Sequence, residues 1–189
     1  SIGYGLLASE PDAPSEIGYT FGGWYKEAAC TNAWNFASDV VEGNVELFAK
    51  WTVNSHNLAW ELNGGTITSA AGEYTAAGSV AFGTALVAPS VEKTGYTFIG
   101  WDPSVAATMP DDDVTYTANW QEKGDIVYKV RHELQNIEDD NFTLDIEETL
   151  NGATGAEVTP LRKTYEGFTA PAAQTANILA DGSLVITYQ

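Results

Sequence analysis

The segment Gly18-Tyr19-Thr20-Phe21-Gly22-Gly23-Trp24 returns as Gly95-Tyr96-Thr97-Phe98-Ile99-Gly100-Trp101. Each copy is followed by a strand-like run that closes on tryptophan, Ala49-Lys50-Trp51 in the first and Ala118-Asn119-Trp120 in the second. Self-similarity of this kind marks an array of small supersecondary units, each burying its own apolar residues. Arrays of small β modules usually space, present or bind rather than catalyse. The chain opens in mid-pattern, which predicts a piece of something longer.

Residues 57–121 set the template. Leu58, Trp60 and Leu62 alternate with Ala59 and Glu61, the period of a half-buried strand. Asn63-Gly64-Gly65 supplies a turn that tolerates positive φ, and Thr66-Ile67-Thr68 starts the return of a hairpin. Val114, Tyr116, Ala118 and Trp120 line one face of the closing strand, with Thr115, Thr117 and Asn119 turned to water. Residues 1–52 repeat this pattern, with Gly5 matching Gly83, Pro11 matching Pro89, and Val45, Leu47, Ala49 and Trp51 inward. Nothing in 1–52 matches the hairpin of 58–67, so this module is expected to be partly disordered or to borrow a strand from a neighbour. Unpaired strand edges invite such self-association.

After Gln121-Glu122-Lys123-Gly124 a third module is expected over 125–189. Ile126, Tyr128, Val130, His132 and Leu134 share one face of a long strand, Glu138-Asp139-Asp140-Asn141 turns it, and Phe142, Leu144 and Ile146 alternate on the way back. Gly155, Pro160 and Gly167-Phe168 echo the spacing of the second module, and 184–188 closes the unit. The expected fold is mainly β with small α+β elements. The Ala-containing stretches at 70–77 and 170–176 allow at most a turn or two of helix.

The net charge is −18, from 26 acidic against 8 basic residues. Nucleic-acid binding needs clustered Lys and Arg and is excluded, and anionic membrane surfaces are disfavoured for the same reason. No apolar stretch reaches the roughly 20 residues needed to span a bilayer, so no membrane insertion is expected of these residues. One cysteine, Cys30, forbids an internal disulfide. The aromatic residues, 12% of the chain, take its place as core material.

Phe21 and Trp24 lie three apart and would face opposite ways in a regular strand. Gly22-Gly23, and Gly100 in the second copy, predict a bulge that returns the indole to the core side. Trp24, Trp51, Trp101 and Trp120 are therefore assigned to packing, each buried large aromatic contributing roughly 2–3 kcal/mol. Trp34 and Trp60 have no counterpart in the other copy and are the candidates for a ligand-facing aromatic surface.

Gly18-Tyr19-Thr20-Phe21-Gly22-Gly23-Trp24-Tyr25 through Ala49-Lys50-Trp51-Thr52 resembles the Listeria–Bacteroides repeat, the B-repeat of internalin-type bacterial surface proteins. Leu62-Asn63-Gly64-Gly65-Thr66 and 95–101 extend the likeness across the second module, with a shorter centre through Met109-Pro110. Residues 125–189 are more similar to the mucin-binding-protein type of repeat, in Tyr128-Lys129-Val130-Arg131-His132 and Lys163-Thr164-Tyr165-Glu166-Gly167-Phe168. The resemblance implies tandem ubiquitin-like, β-grasp-type modules in an extracellular protein of a bacterial cell surface or wall, used as stalk or adhesin. It brings no catalytic residues.

Catalysis needs convergent titratable groups, and the chain is poor in them. Cys30 and His56 form the one conceivable thiol–imidazole pair, and no motif surrounds either. His132 falls on an inward strand position. Asp111-Asp112-Asp113 and Glu138-Asp139-Asp140-Asn141 lack the spacing of a calcium loop. Lys50 and Lys129 fall on outward positions, against an internal isopeptide bond. The expectation is a non-enzymatic spacer with no metal and no cofactor. The alternative is an adhesin whose partner is a host glycan or a surface protein.

Overall fold

The computed structural model describes residues 2–189. Thirteen strands and no helix occur among the described residues. They are β1 (Tyr19–Tyr25), β2 (Phe48–Val53), β3 (Ser55–Glu61), β4 (Thr66–Ile67), β5 (Gly78–Ala81), β6 (Val91–Glu92) and β7 (Tyr96–Asp102). They continue with β8 (Val114–Glu122), β9 (Ile126–Gln135), β10 (Phe142–Gly152), β11 (Glu157–Val158), β12 (Ala176–Asn177) and β13 (Val185–Tyr188). The stretches 70–77 and 170–175, which allow at most a turn or two of helix, form loops, as β-branched residues, Gly and Pro there dictate. A four-stranded sheet has the order β5-β3-β8-β7.

The described chain divides into two compact units. One takes the residues up to Trp60 with Ala71–Ala88 and Val105–Tyr116; the other takes Glu61–Ala70, Pro89–Ser104 and Thr117–Gln189.

In the first unit β1 pairs antiparallel with β2, Phe21 facing Trp51 and Trp24 facing Ala49, with a register shift between. That shift is the bulge the glycines predict, and Gly23 adopts φ 100°. Phe21 then packs edge-on against both Trp24 and Trp51, at 5.4 and 5.7 Å. The indoles end half-buried rather than sealed. Val45, expected inward, lies outside β2 and is exposed, because the paired part of the strand starts only at Phe48. β3 pairs antiparallel with β5, and the core residues Leu58, Met109 and Tyr116 belong to this unit.

In the second unit β7 and β8 repeat the scheme of β1 and β2. Phe98 faces Trp120, Trp101 faces Ala118, and the register shifts at Gly100, φ 133°. The hairpin expected from Asn63-Gly64-Gly65 does not close on β3. Asn63 and Gly64 take left-handed conformations, φ 48° and 82°, and the chain enters β4, which pairs with β6. The reason is Trp120. Its Nε1 donates to the Leu62 carbonyl at 2.9 Å, and its ring leaves no room for a Cβ at Gly65.

β9 lies between β10, antiparallel, and β13, parallel. Tyr128, Val130, Ile178, Ile186 and Tyr188 form the buried core there, as the alternation in β9 foretold. Phe142, Leu144 and Ile146 do alternate in sequence, yet all three are exposed. β10 is an edge strand with a register shift between Leu144 and Ile146, so neither of its faces is fully covered.

Candidate functional site

Two junctions are built on one backbone scheme. Gly18, φ 80°, ends the turn before β1. Its carbonyl accepts from the Asn54 amide at 2.8 Å, and the Asn54 carbonyl accepts from the Phe82 amide at 2.8 Å. The Phe82 ring fills the space over Gly18 so closely that a Cβ would stand 1.9 Å from its edge. Tyr19 meets the same ring edge-on at 6.1 Å. Glycine is required here twice over, for the positive φ and for the contact.

In the second unit Gly95, φ 77°, plays the same part. Its carbonyl accepts from the Lys123 amide at 2.9 Å, and the Lys123 carbonyl accepts from the Thr154 amide at 3.0 Å. The Thr154 hydroxyl donates to the Gly95 carbonyl at 2.6 Å. A Cβ on Gly95 would come within 2.6 Å of the Ala180 methyl. Gly18 and Gly95 are both buried, and the paired backbone groups satisfy the requirement that such groups find partners.

The first junction carries an electrostatic clasp the second lacks. Asp111 Oδ2 accepts from the Gly18 amide at 2.9 Å, and its Oδ1 accepts from Asn54 Nδ2 at 3.0 Å. His56 Nε2 lies 2.8 Å from the same Oδ1. The Asn54 bond first, then His56, then the Gly18 amide hold the Asp111 carboxyl below its ordinary value of 3.8. Asp113 accepts from the Asn57 amide at 2.6 Å, anchoring the start of β3. The acidic triplet thus fastens a joint. In the sequence the glycines belong to the aromatic block, and the aspartates lack calcium-loop spacing and show no partner. The available signal was the recurrence of Gly5, Gly83 and Gly155, each preceded by a residue able to fill a socket.

A cleft of about 590 Å³ opens in the second unit beside His132, Phe142, Lys163, Tyr165, Phe168 and Tyr188. Phe142 and Phe168 are exposed, while His132 is 2% exposed, stacked on Tyr188 at 5.4 Å. His132 Nε2 is buried without a hydrogen-bond partner and lies 3.5 Å from Glu148 Oε2, which also pairs with Lys163 at 3.1 Å. Tyr165 donates to Asp145 at 2.6 Å, and this bond to a carboxylate pushes its phenol up to about 12.

Trp34 is half-buried, edge-on to Phe36 at 6.3 Å, with the Lys26 ammonium 5.5 Å from its ring. It lines a groove of about 630 Å³ with Ile2, Pro11, Phe36, Val41 and Leu47. Trp60 is half-buried and stacked on Tyr116 at 5.1 Å, and its Nε1 donates to the Thr75 carbonyl at 2.8 Å. The two indoles are held by different neighbours. Cys30 Sγ turns to the Ala28 carbonyl at 3.7 Å, while His56 is held by Asp111. Asp139 caps its own turn, accepting from the Asn141 amide at 2.9 Å and from Asn136 at 2.8 Å. Among the described residues no group of three or more His, Cys, Asp or Glu side chains is placed to hold a metal ion.

Comparison with known proteins gives these features a context. A putative membrane protein of Evansella cellulosilytica is 31% identical over 126 residues, 66% of this chain and 16% of the relative. A putative Gly-rich membrane protein of the same organism is 35% identical over 99 residues, 52% of this chain and 11% of the relative. Internalin H of Listeria monocytogenes is 33% identical over 103 residues, 53% of this chain and 17% of the relative. The chain thus spans under a fifth of the length of these relatives. No solved structure matches, and no helix among the described residues is long and apolar enough to cross a membrane. The sequence pattern of the Listeria-Bacteroides repeat domain matches residues 1–50 and 56–129, well over half of the chain, so the chain belongs to that repeat family.

Proposed function

We propose that this chain is a non-enzymatic spacer of a bacterial cell-surface repeat protein, three β-grasp-type modules (1–52, 57–121 and 125–189) that hold or present adhesive parts. The observation that carries the reading is the repeated junction. A socket glycine, a bridging peptide and a plug residue join β1 and β2 to β5, and a second set joins β7 and β8 to the third module. Such joints resist bending because each is made of backbone bonds around a buried glycine and a close steric contact rather than a flexible linker. The parallel pairing of β9 with β13, the first and last strands of their module, supports the β-grasp reading. Likeness to internalin H supports an extracellular, surface location.

Backbone relaxation by NMR tests it. Residues of β1 and β2 should tumble with the correlation time of β3 and β5, and Gly18→Val should give the two groups separate, shorter times. Independent tumbling in the unmodified chain would remove the spacer reading.

The cleft of the third module favours a second reading, a mucin-binding-type adhesin for a host glycan or surface protein. Exposed Phe142 and Phe168 beside a buried imidazole nitrogen that has Glu148 at 3.5 Å but no hydrogen bond are the features of an aromatic binding surface with a polar anchor. A glycan and mucin screen with Phe168→Ala, Trp34→Ala and Trp60→Ala separates the candidate surfaces. Binding lost only in Phe168→Ala assigns the cleft. No binding by the folded chain leaves the spacer alone.

A further inference from the structure

The plug of each junction sits on a turn that recurs a third time. The Gly83 amide donates to the Met109 carbonyl at 2.9 Å, and the Met109 amide donates back to the Thr84 carbonyl at 2.8 Å. The Gly155 amide donates to the Ile178 carbonyl at 2.9 Å, and the Ile178 amide returns to the Ala156 carbonyl at 2.9 Å. The residues before these glycines are Phe82 and Thr154, the two that seat on Gly18 and Gly95.

Gly5 has the same surroundings. Its amide donates to the Val41 carbonyl at 2.8 Å, and the Val41 amide returns to the Leu6 carbonyl at 2.9 Å. The bridge between Leu7 and Val40 stands where Ala85 and Thr108 form theirs. The three glycines share one left-handed conformation, φ 76°, 77° and 74°. The residue in the plug position is therefore Tyr4, and it is 80% exposed. An exposed tyrosine held on a turn of fixed geometry, flanked by exposed Ile2 and Leu6, is an apolar surface without a socket.

The geometry points to the Tyr4-Gly5 turn as the seat for a further module of this repeat, one presenting a left-handed glycine followed by an aromatic residue. The occupant follows from continuity with the two junctions already built. In both, the plug meets the glycine of a Gly-Tyr pair, Gly18-Tyr19 or Gly95-Tyr96, and in the first an aromatic plug meets the tyrosine ring as well. Tyr4 is the aromatic kind of plug, so the first junction is its pattern. The seat serves a spacer and an adhesin alike.

The test joins residues 1–81 directly ahead of Tyr4 of the intact chain, so that a second Tyr4 follows Ala81 as Phe82 does in the parent. Nitration by tetranitromethane, read peptide by peptide, reports the two copies separately. The upstream Tyr4 should react as in the parent chain and the downstream one severalfold more slowly. Gly18→Val in the upstream copy alone should abolish the difference. Equal reaction of both copies in a product that melts cooperatively overturns the inference. The parent chain supplies an independent arm through Phe82→Tyr. There the introduced tyrosine should be protected and the melting temperature kept, whereas reaction as fast as that of Tyr4 shows that the socket rejects a tyrosine and ends the proposal.

Discussion

Asp111 accepts from the Gly18 amide and Asn54 Nδ2 and lies within bonding distance of His56 Nε2, so its charge state sets the strength of the first junction. Its folded pKa is depressed, which means that its contribution is complete above the ordinary carboxylate value of 3.8. The contribution fades as pH falls below that value and the carboxyl protonates. Asp111→Asn should lower the melting temperature at about pH 5, where the carboxylate is ionised, the gap narrowing below about pH 4. A gap that widens toward acid would show the carboxylate to be unimportant. Little of this was readable beforehand. The partners of Asp111 lie at Gly18, Asn54 and His56, far away in sequence, and an acidic triplet at a turn has the same composition whether it faces water or a neighbour. Gly18 and Gly95 were visible as recurring residues, but the ring over one and the methyl beside the other come from distant segments.

At the level of elements, the bulge in β1 and β7 was legible because two local rules conflict at that point. Period-two alternation places Phe98 and Trp101 on opposite faces, and the register shift at glycine lets Phe98 pack edge-on against both Trp101 and Trp120. Gly100, at φ 133°, holds a conformation that a β-branched residue scarcely reaches. Gly100→Val should therefore cost about 2 kcal/mol, the range for a strained backbone position. Chemical denaturation measures it, with a loss in Trp101 ordering as the local signature. An unchanged midpoint would mean that the bulge can move elsewhere. The β3 to β4 hairpin was misread for an instructive reason. Asn63-Gly64 is a strong hairpin signal, but the indole of Trp120, arriving from a strand far along the chain, claims the Leu62 carbonyl. Local turn chemistry gave the bend and a tertiary contact chose its direction. The exposure of Phe142, Leu144 and Ile146 has the same character, since alternation reveals a strand's faces but not whether it lies at an edge.

For the whole molecule, the region before β3 is the least covered. β1 and β2 form a sheet of two strands, Ile2 and Val45 are exposed at the groove of Trp34, and Leu6 and Leu7 are exposed as well. Two-stranded sheets are marginal alone, and open edges with apolar flanks recruit strands from other chains. Sedimentation should accordingly show an average mass that rises with concentration, and Leu7→Lys with Val45→Lys should return it to the monomer. A single monomeric species at all concentrations would end the idea of strand borrowing. The repeat itself was plain from the two aromatic blocks, whereas the joints were hidden because much of each is made by backbone groups from distant segments. That last property has an evolutionary consequence. Since the two couplings share only main-chain amides and carbonyls and one glycine, while the side chain seated on that glycine is Phe82 in one and Thr154 in the other, neighbouring units can diverge in their contact residues and still fit together. Gene duplication and shuffling can then lengthen or reorder such a protein without redesigning any seam.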